Sequence, residues 1–102
     1  MEHLELLKKE LAEGSAQLLD VREFNEWQAG HIKGSHFVPL SGLEGFQEPD
    51  DVETDVKTYL YCRSGNRVRM AAPILEEMDF EEVIPLAEGF QELAAAGFEV
   101  EI

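Results

Sequence analysis

Short apolar runs separated by stretches of helical period recur along the whole chain, and that alternation limits the folds open to it. Leu4, Leu7 and Leu11 repeat at helical spacing with Gly14 beyond them, which predicts an amphipathic helix over His3 to Glu13. Gln17-Leu18-Leu19-Asp20-Val21 follows, a brief and mostly apolar run of the kind buried on both faces of a sheet. Glu23 to Ala29 places Phe24 and Trp27 on one helical side and stops at Gly30, and His36 to Leu40 reads as a second strand. Ser41 to Asp55, with Gly42, Gly45, Pro49 and six carboxylates, predicts a helical turn near Leu43 to Phe46 and then a solvated acidic connection. Lys57 to Tyr61 has strong strand propensity, and Val68, Ala71, Ala72, Leu75 and Met78 then trace a helical face that Pro73 interrupts. Glu82 to Leu86 predicts a strand, Glu88 to Ala96 a helix, and Phe98 to Ile102 an edge strand. Strands alternating with helices imply an α/β domain whose mainly parallel sheet is covered on both faces, with its ligand site at the carboxyl ends of the strands.

At 102 residues and 11.5 kDa the chain fits one domain over 1–102. It lacks an apolar run of about 20 residues, the length that spans a bilayer, and Met1 to Glu5 lacks the basic flank and apolar block of a signal peptide, so a cytoplasmic location is expected. The net charge of −14 argues against nucleic acid and anionic membranes as partners. A single cysteine excludes an intrachain disulfide and gives no zinc-ligand spacing. His31 and His36 read as structural histidines, and no metal or cofactor is expected. Against this acidic background the cations are informative: of eight Lys and Arg, three (Arg63, Arg67 and Arg69) fall within eight residues beginning at Cys62.

Cys62 therefore closes a predicted strand and opens a loop leading into a helix. A lone cysteine at a strand end is ordinarily a small buried hydrophobe. Followed by Arg63-Ser64-Gly65-Asn66-Arg67, it reads as a reactive thiol, because helix N-terminal amides and nearby cations both favour a thiolate. Gly65 and Asn66 tolerate the positive φ that turns successive N–H groups into an anion-binding nest. Ser64 adds a hydroxyl donor, Arg67 a planar fork suited to an oxyanion, to the loop's carbonyls or to a neighbouring carboxylate, and Arg63 a charge at the rim. Asp20 and Arg22 read as structural supports at the sheet's carboxyl edge. Trp27 reads as core, and Met70 and Met78 as helix-face packing.

Leu18 to Arg22, Glu26-Trp27, Gly30-His31-Ile32 with Gly34-Ser35, Pro39-Leu40 and the Cys62 to Arg67 loop resemble, in order and spacing, the rhodanese homology domain, over roughly Leu18 to Gly97. The resemblance is to single-domain sulfurtransferases and implies a five-stranded, mainly parallel sheet with helices on both faces. It also implies that Cys62 accepts a sulfane sulfur as a persulfide, cradled by the amides of Arg63 to Arg67. Glu88-Gly89 and Leu93 stand where many relatives have paired glycines and a tryptophan, and Lys33 where a proline is common.

The expected activity is transfer of sulfur from a small anionic donor to a thiol or to cyanide, with an acceptor protein as a further partner. The two loop arginines favour a doubly charged donor such as thiosulfate. A cysteine phosphatase or arsenate reductase would place its arginine one residue later, where this chain has Val68. The alternative outside enzymology is a binding module of the same fold that docks a partner protein.

Overall fold

The computed structural model describes residues 2–102. Helix α1 (Glu2–Glu13) leads into β1 (Ala16–Asp20), α2 (Phe24–Ala29), β2 (His31–Ile32), β3 (His36–Phe37), α3 (Leu40–Glu44) and β4 (Lys57–Tyr61). After the cysteine loop come α4 (Arg67–Glu77), β5 (Val83–Pro85), α5 (Phe90–Ala95) and β6 (Val100–Glu101). Among the described residues, no helix is long and apolar enough to cross a membrane.

The fold is α/β with a mainly parallel sheet. Four strands run in the order β3-β1-β4-β5, with every neighbouring pair parallel. The five-strand expectation resolves into this four-stranded sheet and a separate pair, because the C-terminal strand β6 joins β2 antiparallel instead of extending the main sheet. At two residues, β2 is too short to carry a periodic signal.

The apolar runs of β1 and β4 lack alternation because both of their faces are covered. Leu19 and Leu60 pack with Leu43 of α3 and with Val68, Ala71 and Leu75 of α4. On the opposite face Leu18, Tyr59 and Tyr61 meet Leu4 and Leu7 of α1 and Leu93 of α5. Each such side chain contributes about 1.5–3 kcal/mol of burial, which fixes the strand register and with it the ends of the strands.

Local differences from the sequence reading have simple causes. Helix α3 starts at Leu40, ahead of the expected turn, with Pro39 as its extended N-cap (φ −66°, ψ 141°). Pro73 lies within α4 on its exposed side, and Arg69, whose carbonyl it cannot reach, is exposed as well. Met70 is exposed rather than packed, whereas Met78 packs against the core. Trp27 is half-buried and stacks on His31 at 3.5 Å between ring centres. The His31 ring is bracketed by the Trp27 carbonyl and Glu101, which ties α2 to the C-terminal strand.

Candidate active site

The carboxyl ends of β1 and β4 lie side by side, with Asp20 opposite Tyr61, so the chain brings its buried acid next to the residue that precedes Cys62. Asp20 accepts hydrogen bonds from the Arg22 backbone N–H at 2.9 Å, from Arg22 Nη2 at 2.7 Å and from the Tyr61 hydroxyl at 2.7 Å. Arg22 also donates to the Gly30 carbonyl at 2.7 Å, and its guanidinium lies 4.4 Å from the Phe90 ring centre. Burial, followed by the Asp20 charge, pushes the Tyr61 phenol well above its ordinary range, so Tyr61 remains a donor. All four polar partners at this strand end are buried and satisfied, which is the condition for a rigid polar network. Asp20, Arg22 and Tyr61 thus form one buried network at the strand end that leads into the loop.

Cys62 is 1% exposed, at the floor of the loop, and its Sγ accepts the Gly65 N–H at 3.2 Å. The loop reverses at Gly65, which has φ +87°; a Cβ there would stand 3.1 Å from the Ala87 carbonyl oxygen. Asn66, expected to share that conformation, instead has φ −85° and joins the helix entry. Its side-chain oxygen accepts from Arg69 Nη2 at 3.0 Å, while Arg69 Nε donates to the Gly65 carbonyl at 3.2 Å. Arg69, noted in the sequence only as one of three clustered cations, therefore holds the loop's carbonyl side.

Arg67 reaches α2. Its two terminal nitrogens meet both carboxylate oxygens of Glu26, at 2.5 and 2.9 Å. Arg67 holds the Glu26 carboxyl down at about 2, against a smaller upward push from burial, so this pair stays ionised at any ordinary pH. Glu26 also accepts the Glu23 N–H at 3.1 Å, which closes a capping box at the start of α2. Arg63 and Ser64 are exposed. Among the described residues the Arg63 side chain has no ion-pair or hydrogen-bond partner, and it borders a cleft of about 290 Å³ with Arg22, Glu26, Ala29, Gly30 and Phe90.

Gly89 completes the site from the far side of the sheet. A Cβ on it would fall 1.9 Å from the Arg63 carbonyl oxygen, so only glycine lets the start of α5 lie against the loop. The Phe90 N–H then donates to the Cys62 carbonyl at 2.8 Å. The sequence signal for this contact is the Glu88-Gly89 step, which stands where relatives have paired glycines; here the second glycine is the one the packing requires. Among the described residues, no group of three or more His, Cys, Asp or Glu side chains is arranged to hold a metal ion.

Comparison with known proteins agrees with this geometry. The family model of the rhodanese-like domain matches residues 3–96. A curated relative, the uncharacterized protein YqhL of Bacillus subtilis, is 42% identical over 76 residues, covering 74% of this chain and 59% of its own length. Thiosulfate sulfurtransferase GlpE of Pseudoalteromonas translucida is 34% identical over 93 residues, covering 91% of this chain and 83% of its own. The chain spans only about half of a third relative, the putative sulfur carrier protein YrkF of Bacillus subtilis, at 31% identity over 90 residues and 87% of this chain. Among solved structures, the Alr3790 protein of Anabaena sp. superposes with a TM-score of 0.81 at 27% identity, covering 96% of this chain and 77% of its own. From the strand order, the loop geometry and these matches together, the chain belongs to the rhodanese-like domain family.

Proposed function

We propose that this chain is a sulfurtransferase in which Cys62 receives a sulfane sulfur from a small anionic donor and passes it to a thiophilic acceptor. The observation that carries this reading is the placement of the chain's one thiol, at the floor of a tight loop, with a backbone N–H already directed at its sulfur. In the first step the Cys62 thiolate attacks the outer sulfur of the donor. A new S–S bond forms, the donor's own S–S bond breaks, and the electron pair leaves with the oxyanion, sulfite in the case of thiosulfate. In the second step cyanide or a thiolate attacks the outer sulfur of the persulfide, giving thiocyanate or a new persulfide and restoring the Cys62 thiolate. With no second cysteine in the chain, the sulfur leaves to another molecule.

The residues of the loop divide the work. The N–H of Gly65, together with those of Arg63 to Arg67 that border the turn, stabilises the thiolate and the persulfide anion. Ser64 offers a hydroxyl at the rim, Arg63 attracts the donor, and Arg67, with Asn66 and Arg69, fixes the helix entry. Asp20 and Arg22 support the loop from below. Burial of the thiol favours donors that present sulfur on a narrow end. A phosphatase would carry its arginine at the position of Val68, and Arg67 is engaged by the Glu26 carboxylate rather than left for a transferred oxyanion. A reducing compartment such as the cytoplasm suits a free thiol, and a small molecule or an acceptor protein would complete the cycle.

The test is intact mass before and after thiosulfate and then cyanide. The wild-type protein gains one sulfur atom and loses it again, and Cys62→Ser shows neither change. Absence of the adduct in the wild-type protein, with the fold intact, would favour a binding module that docks a partner protein.

A further inference from the structure

The cleft that Arg63 borders carries less charge than the arginines around it suggest. Arg22 is matched by Asp20 beneath the loop, and Arg67 is matched by Glu26 at two contacts. Arg63 is left, exposed and unmatched among the described residues, on the rim of the cleft that Glu26 also borders. Among Asp20, Arg22, Glu26, Arg63 and Arg67 the balance is one positive charge, where the sequence counted two loop arginines. Arg69 does not change it, because its guanidinium is turned to the opposite flank, against the Gly65 carbonyl and the Asn66 side chain.

We propose that Glu26 is a positioning residue that sets donor selectivity: by engaging Arg67 it leaves Arg63 as the unmatched cation of the cleft and suits the site to singly charged sulfur donors. The inference rests on the sulfurtransferase reading for its substrate and on the Glu26–Arg67 geometry for its cause. The rest of the cleft has the same character. Beside the polar Gln91, Ala29, Gly30 and the Phe90 ring give it an apolar wall that accommodates an organic group better than a second negative charge. A monoanionic thiosulfonate, an alkyl group bearing SO₂S⁻, fits both features. Its transfer balances as thiosulfate's does, with the alkylsulfinate leaving in place of sulfite.

The experiment compares kcat/KM for thiosulfate and methanethiosulfonate across ionic strength in the wild-type protein, Glu26→Gln, Glu26→Asp and the double variant Glu26→Gln with Arg67→Gln. Glutamine keeps an oxygen for the Glu23 N–H but removes the charge that matches Arg67. The ratio of thiosulfate to methanethiosulfonate efficiency should rise about threefold in Glu26→Gln at low salt, the size of one unit charge acting across roughly 7 Å of water-like medium, and should relax toward the wild-type ratio as salt screens it. Glu26→Asp should hold the wild-type ratio. The double variant, neutral at both positions, should return to it even if turnover with both donors stays low.

Equal losses for both donors with an unchanged ratio would overturn the inference and leave Glu26 as a brace. Alkylation of Cys62 by iodoacetate relative to iodoacetamide, followed by intact mass, reads the same charge without sulfur transfer. If neither donor loads Cys62 in the wild-type protein, the sulfurtransferase reading falls. A rise in the iodoacetate preference in Glu26→Gln would then still support the charge assignment, and a constant preference would overturn it.

Discussion

The two edges of the main sheet are built from similar loops and opposite chemistry. At the carboxyl edge, Asp20, Arg22, Tyr61, Glu26 and Arg67 pair with one another at 2.5–3.1 Å, and glycine makes the tight turn at Gly65 and permits the close backbone approach at Gly89. At the amino edge, the connections before β4 and β5 carry Asp50, Asp51, Glu53 and Asp55 on one side and Asp79, Glu81 and Glu82 on the other, all exposed. The two connections touch, with the Glu81 N–H on the Thr54 carbonyl at 3.0 Å. Lys57 is the cation nearest their strand ends, and it is paired with Glu10. Within these two connections positive φ angles fall on Phe46, Asp51 and Asp79. The difference is what the proposed sulfur chemistry calls for: a reactive thiol requires fixed donors around it, while solvated carboxylates need only water. It also explains how a chain of net charge −14 keeps a cationic cleft, since much of the surplus acid sits at the other end of the strands.

The comparison breaks first at the buried pair. Asp20→Ala leaves the Arg22 guanidinium buried without its counter-charge and removes the partner of the Tyr61 hydroxyl. A loss of about 3–5 kcal/mol is expected, enough to unfold a marginal domain. Urea denaturation measures it. A loss below 1 kcal/mol would mean that the two edges are equally tolerant of lost charge.

Next in size is Gly89→Ala, which adds a single methyl group where the Arg63 carbonyl already stands. Displacing the loop or the start of α5 costs about 1–3 kcal/mol, and sulfur transfer should fall by about a hundredfold through misplaced donors around Cys62. Thermal melting and a thiosulfate–cyanide assay separate the two losses. Full activity would show that the loop tolerates displacement and that its order is not what the chemistry uses.

A smaller effect follows acidification. Glu26 is held at about 2 in the folded chain, mainly by Arg67, well below the ordinary range of a glutamate carboxyl. A depressed carboxyl contributes stability that is fully present above the unfolded value and is lost as pH falls toward 2. Wild-type protein should therefore lose more stability between about pH 5 and 2 than Glu26→Gln does, by roughly 1–2 kcal/mol for this partly exposed pair. Parallel pH profiles for the two proteins would remove Glu26 from the list of stabilising carboxylates.

Much of this architecture was legible because burial on both faces of β1 and β4 writes an unbroken apolar run into the sequence, and because the strand-to-helix step at Cys62 has its own local signature. The Glu26–Arg67 bond was not, since it joins α2 to α4 across 41 residues and either side chain reads alone as a surface charge. Gly89 was noticed for its place in a motif, but its contact with the Arg63 backbone depends on how α5 meets the loop, which only the packed sheet fixes. The antiparallel β2–β6 pair escaped for a related reason: two residues give no period, and its partner lies at the other end of the chain. Arg67 was assigned alternative partners, a loop carbonyl or a carboxylate; the carboxylate is the one present, and Arg69 takes the carbonyl.

The smallest prediction concerns the amino edge alone, where three helix ends can be compared within the molecule. Helix α1 closes with the Gly14 N–H on the Leu11 carbonyl and the Ser15 N–H on the Glu10 carbonyl; α5 closes the same way through Gly97 and Phe98. Helix α4 repeats the pattern through Asp79 and Phe80, with Phe80 buried against the same core as Leu75, but the left-handed position is filled by Asp79 at φ +70°. Glycine accepts that conformation without strain, and a carboxylate at a helix C-terminus is opposed by the helix dipole. Asp79→Gly should therefore stabilise the fold by about 0.5–1 kcal/mol, net of the extra freedom glycine has when unfolded, and leave sulfur transfer unchanged. Asp79→Asn separates the two causes, because it removes the charge but keeps a side chain at positive φ, and about half of the gain or less is expected from it. If Asp79→Gly were neutral in melting temperature, or if it altered the kinetics at Cys62, the two edges would be coupled and strain at one would be part of the order at the other.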